Sequence, residues 1–220
     1  MQVQRTACFY SHLNLSLHTN VDCNTLVAAV VHRQVHVISL LLQNGTTSDF
    51  EVRLGAWSWD ISTGEELRVG AGLGEPYGIT WRAIEYFENS GAILSWLLQH
   101  VSSNGFHRGR TILHHAILCG NVEAVRILLE CGANVESIVK TTSKTEFRPI
   151  HMASRLGLPG IIQCLIDFGC DLNSLTDSGD TSLMIFAKYK QEECLKVLTR
   201  AGADFGLVNI AGQSASSFAE

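Results

Sequence analysis

The chain has 220 residues and a formal net charge of -5, so no general basicity draws it to nucleic acid or to acidic membranes. Its seven cysteines include no C-x-x-C pair and sit mostly at helix positions, which is the pattern of reduced intracellular thiols and excludes a secreted disulfide framework. Met1–Arg5 leads into no apolar run of signal-peptide length, and the longest greasy stretch, Val27–Leu42, is broken by His32, Arg33 and His36, so no membrane span is expected.

Residues 1–21 read as the end of a repeat unit, because Ser11-His12-Leu13-Asn14-Leu15 has the outline of the tails that close later units. Residues 22–46 read as two short helices, opened by Asn24-Thr25-Leu26-Val27 and closed by Leu40-Leu41-Leu42-Gln43-Asn44-Gly45. In 47–77, Trp57-Ser58-Trp59-Asp60 and Glu65-Glu66-Leu67-Arg68 alternate around Thr63-Gly64, which predicts an inserted β-hairpin. Structured insertions in repeat loops often bind, so Trp57 and Trp59 are secondary candidates; the alternative is that they cover a neighbouring helix. Gly70-Ala71-Gly72-Leu73-Gly74 has Glu75 where a dinucleotide fingerprint needs its third glycine, and no phosphate site is expected.

Residues 78–104 form a degenerate unit that keeps Gly78-Ile79-Thr80 and Ile93–Leu98. It places Arg82 and Glu85 where Leu and Ala are expected, and Val101 where the others close with glycine. Residues 105–141, 142–174 and 175–207 are regular. They open at Thr111, Arg148-Pro149 and Thr181, and close at Gly132, Gly169 and Gly202. Threonine suits a helix N-cap, Pro149 the first helical turn, and each glycine a left-handed helix stop. Residues 208–220 open a further unit at Ser214, so both ends look cut and a larger parent chain is expected.

Asn24, Thr80, Thr111, Arg148, Thr181 and Ser214 lie on one lattice, with steps of 56, 31, 37, 33 and 33 residues. A period near 33 marks stacked helix-turn-helix units that become stable by packing on their neighbours. The segments Gly109-Arg110-Thr111-Ile112-Leu113-His114, Gly120-Asn121-Val122 and Leu128-Leu129-Glu130-Cys131-Gly132-Ala133-Asn134-Val135 resemble the ankyrin repeat, and the units at Arg148 and Thr181 repeat the match. The resemblance implies an all-α solenoid of helix-turn-helix repeats, here carrying a β-hairpin insertion. It also implies that His114 and His151 form hydrogen bonds between repeats.

His115 and Cys119 could supply half a zinc site, or a Cys–His pair. Neither the remaining ligands nor an orienting third group or oxyanion hole is visible, so no metal, cofactor or catalytic residue is assigned. What remains is a surface. The resemblance implies a concave face made of hairpin tips and first helices, here His107, Arg108, Arg110, Lys144, Thr145, Phe147, Arg155, Asp177, Asp180, Lys188 and Tyr189. Arg108, Arg110, Lys144 and Arg155 together suit an acidic or phosphorylated peptide through charge-assisted contacts. The expected protein is a monomeric, non-enzymatic adaptor in the cytoplasm or nucleus, holding a protein partner. The rivals are the ankyrin-like portion of a larger kinase, ubiquitin ligase or acyltransferase, and a nucleic-acid binder using the cationic strip.

Overall fold

The computed structural model describes residues 21–46, 51–52, 57–60, 65–68, 76–88, 90–140 and 146–218. They divide into two compact units, one ending at Val101 and the other beginning at Ser102. The tail expected in residues 1–21 lies outside the described residues apart from Val21.

In the first unit, helices α1 (Val21–Val31) and α2 (Val35–Gln43) pair, and α1 packs on α3 (Ile79–Glu85) while α2 meets α4 (Ala92–Leu97). Their shared core is Leu26, Val27, Ala29, Val30, Ile38, Ile79, Ala83, Ile93 and Leu97, all buried. Burying each Leu or Ile contributes about 1.5–3 kcal/mol. Strand β1 (Glu51–Val52) pairs with β4 (Tyr77–Gly78), and between them β2 (Trp57–Asp60) and β3 (Glu65–Arg68) form the expected antiparallel hairpin in register Trp57↔Arg68 to Asp60↔Glu65.

These pairings correct the register of the degenerate unit. Helix α3 begins at Ile79 with Gly78 as its N-cap, so Thr80 lies inside the first turn, buried, and caps nothing. Gly78 therefore stands where Thr111 stands one unit later, a step of 33. Ile79, Ala83 and Ile84 then match Ile112, Ala116 and Ile117, and Arg82 falls in the place of His115 instead of a leucine. The physical reason is burial. Matching Thr80 to Thr111 would set Arg82 and Glu85 on the places of Leu113 and Ala116, whereas the two-residue shift sets the buried Thr80 and Ala83 there and Ile79 on the place of Ile112.

The second unit is a regular stack. Strands β5 (Phe106–His107) and β6 (Arg110–Thr111) make a finger that leads into α5 (Ile112–Leu118) and α6 (Val122–Glu130). Strands β7 (Val139–Lys140) and β8 (Glu146–Phe147) lead into α7 (Pro149–Leu156) and α8 (Pro159–Asp167). The last full repeat has α9 (Ser182–Tyr189) and α10 (Glu192–Arg200), and a 3₁₀ turn at Ala215–Phe218 packs on α9. First helices stack α5 on α7 on α9, and second helices α6 on α8 on α10.

The ends of these helices follow the sequence reading. Thr111 and Thr181 accept hydrogen bonds from the His114 and Met184 amides at 3.4 and 3.3 Å. Gly132 adopts φ +83°, and the Gly132 and Ala133 amides bond back to Leu129 and Leu128 carbonyls at 3.0 and 2.9 Å. That paired closure, made with a left-handed residue, satisfies the last helical carbonyls. It recurs at Gly169 and Gly202.

Loops between repeats form a hydrogen-bond ladder. Asn134, Asp171 and Asp204 each accept through a side-chain oxygen from an amide two residues on, at 2.9, 2.9 and 2.7 Å. Their own amides donate to the preceding repeat, to Asn104 Oδ1, Glu136 Oε1 and Asn173 Oδ1, at 2.8, 2.8 and 2.9 Å.

Candidate partner-binding surface

Two buried histidines fix the fingers to the helices. His151 Nδ1 accepts from the Arg148 amide at 3.3 Å, which leaves Nε2–H to donate to the Ser174 carbonyl at 2.9 Å, beside the start of the following finger. Burial holds its pKa down at about 4 against that hydrogen bond. His114 Nδ1 lies 2.7 Å from Thr111 Oγ1, and burial holds its pKa down at about 3. Both rings are therefore neutral structural links near pH 7.

The finger geometry sorts the expected site residues. Arg108 and Gly109 have φ of 45° and 78°, the two left-handed residues of a type I′ hairpin turn. With a turn this short only those two residues are at the tip. Arg110 begins the returning strand and is wholly buried. It is thus removed from the cationic surface expected of it. His107, its cross-strand partner, is half-buried and Arg108 is exposed. Lys144 and Thr145 lie outside the described residues. Of the four expected cations, Arg108 and Arg155 are the described ones with surface exposure, and Arg155 sits over the Phe147 ring at 5.1 Å.

Phe147 and Arg155 are thereby brought together, finger against first helix. Asp177 and Asp180 flank one turn, where Asp177 Oδ1 accepts from the Glu146 amide at 3.4 Å and Asp180 Oδ1 accepts from Asn209 Nδ2 at 2.8 Å. Asp180 and Lys188 line a common open hollow of about 400 Å³ with Ser178, Asn209, Ile210 and Gln213. Tyr189 is 48% exposed at the end of α9. Trp57 and Trp59 lie on β2 of the other unit, where only their backbone is described.

Sequence reading missed a second set. Phe106 pairs across from Thr111; Leu175 and Val208 each precede the residue that closes the next finger turns, Thr176 with Asp180 and Asn209 with Gln213. Ile138 precedes the Val139↔Phe147 pair in the same way. The signal was an apolar residue at one structural position of each finger of the second unit; the first unit has Glu51 there. Loop length shifts its offset from the helix start to 5, 10, 6 and 6 residues, which hides it from a fixed lattice. Phe106 and Ile138 line one hollow of about 540 Å³ with Asn104, Asn134, Glu136 and Ser137.

His115 Nε2 is 3.9 Å from Cys119 Sγ, and among the described residues no group of three His, Cys, Asp or Glu side chains could hold a metal ion. Burial raises the Cys164, Cys170 and Cys194 thiols, the latter two to about 12 and about 11, which suppresses thiolate reactivity. No helix among the described residues is long and apolar enough to cross a membrane.

The sequence profile described as "Ankyrin repeats (3 copies)" matches residues 78–139 and 137–209. The human protein "SH3 and multiple ankyrin repeat domains protein 2" is 25% identical over 90% of this chain and 11% of its own length. The mouse "Protein phosphatase 1 regulatory subunit 27" is 36% identical over 33% of this chain and 44% of its own length. The Arabidopsis thaliana "E3 ubiquitin-protein ligase KEG" is 37% identical over 36% of this chain and 5% of its own length. The chain thus spans less than half of each of these relatives.

Proposed function

Since the chain belongs to the ankyrin repeat family, we propose that it is a non-enzymatic adaptor whose second unit holds a protein partner against its fingers and first helices. One observation carries this reading. The five most exposed large hydrophobic side chains of that unit are Ile210 at 81%, Phe106 at 66%, Val208 at 57%, and Leu175 and Tyr189 at 48%, and all lie on fingers or at the end of a first helix. Large apolar side chains gathered on one side of a molecule mark interaction sites, and aromatic anchors dominate interface energies. The partner is not restricted to an acidic peptide, since Arg110 is buried and Arg155 is engaged with Phe147.

Capture from cell extract tests this with two variants matched in thermal stability. One alters the fingers (Arg108→Glu, Asp177→Lys, Tyr189→Ser) and the other the second helices (Arg126→Glu, Gln163→Glu, Lys196→Glu). Proteins lost from the first and kept by the second support the finger side. Equal retention by both sinks it.

Similarity to a ubiquitin ligase, of which the chain spans 5%, supports a second reading as the non-catalytic portion of a larger enzyme. A longer transcript encoding a catalytic domain in frame would establish that, and a transcript confined to repeats would remove it.

A further inference from the structure

We propose that the Phe106–Ile138–Leu175–Val208 row binds an extended partner segment with an apolar side chain at every third position and basic residues between. The inference rests on the finger-side reading above and adds to it a conformation and a chemistry.

The four residues occupy one position on successive fingers, and three of them are exposed while Ile138 is half-buried. The fingers are held in step, since Arg148 Nη1 donates to the Leu175 carbonyl at 2.8 Å and the Ile210 amide to the Ser178 carbonyl at 3.2 Å. Each finger leads into a helix that packs on its neighbour, and packed helices lie about 8–10 Å apart. The apolar side chains therefore recur along the stack at roughly that interval. A polyproline II segment repeats every three residues, at about 3.1 Å each, and so presents one side chain roughly every 9 Å on a single face. An α-helix with apolar residues at i and i+4 advances only about 6 Å between them, and one with apolar residues at i and i+7 about 10.5 Å; these fall outside the interval on either side, and the mismatch accumulates over four anchors.

Charge selects the residues between the anchors. Asp171, Asp177 and Asp204 are exposed in the segments that carry Leu175 and Val208, each with one carboxylate oxygen on a backbone amide, whereas the Glu136 carboxylate, two residues from Ile138, is neutralised by Arg148 Nε at 3.1 Å. Lysine or arginine facing that half meets carboxylates, and Arg108 at the first finger disfavours cations there. Such a segment lies along the row in one direction, its basic end toward Val208.

Fluorescence anisotropy on the whole chain tests this with a labelled peptide of four Leu-Pro-Lys repeats. Two control peptides, each also with four leucines separated by proline and lysine, carry leucine at every second or every fourth position. The first should bind at least tenfold tighter than either control, and should weaken on raising salt. Leu175→Ser/Val208→Ser, both exposed positions, should lose at least tenfold while keeping the parent's melting temperature; Phe106→Ser serves if that pair unfolds. Equal affinity for the three peptides, preference for the every-fourth peptide, affinity untouched by the substitutions, or no binding would each overturn the inference. If extract proteins still depend on the finger variants, only the extended, every-third mode has failed; if they do not, the finger-side reading has failed with it.

Discussion

Helix α3 after Gly78 and helix α5 after Thr111 hold the same place in their repeats, yet only three of their seven aligned pairs are identical. Ile79, Ala83 and Ile84 match Ile112, Ala116 and Ile117, and all six are buried. Around them Tyr77, Trp81 and Arg82 replace Arg110, His114 and His115, and these six are buried too. In α5, His114 is held to Thr111 at 2.7 Å and His115 Nε2 lies 3.9 Å from Cys119 Sγ. In α3, Trp81 stacks on Tyr77 at 5.5 Å and Arg82 lies 4.7 Å over the same ring while pairing with Glu85. The apolar positions thus define the repeat, whereas the positions that lock finger to helix accept either a hydrogen-bonded histidine or a cation on an aromatic stack.

Acid should separate the two most strongly. His114 and His151 have folded pKa values of about 3 and about 4, below the ordinary 6.5, so the unfolded chain binds protons that the folded chain refuses. Their contribution is complete above pH 6.5 and is lost as pH falls toward 4, at about 1.4 kcal/mol per pH unit for each histidine. Trp81 gives α3 no such dependence. Hydrogen exchange at pH 7 and pH 5 should show protection falling in α5 and α7 more than in α3; equal losses would break the comparison. Next, Glu85→Ala removes the ion-pair partner of a fully buried guanidinium and should cost about 2–3 kcal/mol in urea unfolding. A change below about 1 kcal/mol would mean that the aromatic stack suffices.

Thr111→Val deletes both the cap and the hydroxyl beside His114 and should cost about 1–2 kcal/mol, read as a lower urea midpoint. Gly78→Thr is the reciprocal change. An added Cβ would meet Trp81 Cδ1 at 3.9 Å, an ordinary contact, and the new hydroxyl can cap α3. A gain of about 0.5 kcal/mol is expected, since glycine is already a tolerable cap. A loss instead would show that the unit is locked around its aromatic stack.

What could be read from sequence follows the same division. The units at Thr111, Arg148 and Thr181 were legible because cap, apolar spacing and closing glycine agree, and the inserted hairpin because its strands alternate. The step to Thr80 misled because the G-x-T letters of Gly78-Ile79-Thr80 outweighed the apolar pattern set two residues earlier. The sequence also could not show where the insertion sits. Glu51↔Gly78 and Val52↔Tyr77 repeat the pairing Phe106↔Thr111 and His107↔Arg110, so residues 53–76 replace a fingertip turn. Arg110 reads as a surface cation because its letter is charged, and only the turn length reveals that it faces inward. The exposed row beginning at Phe106 stayed hidden because its residues are ordinary apolar letters at uneven spacing.

The loop ladder has a mechanical consequence. Each rung joins one repeat to the next only, from Asn104 to Asn134, Glu136 to Asp171 and Asn173 to Asp204. Tension applied along the stack is therefore borne by rungs in series, and the weakest yields first without loosening those beyond it. Pulled by its ends, the second unit would lengthen in discrete steps of about one repeat each, and on slackening would rewind onto whichever repeat had stayed folded.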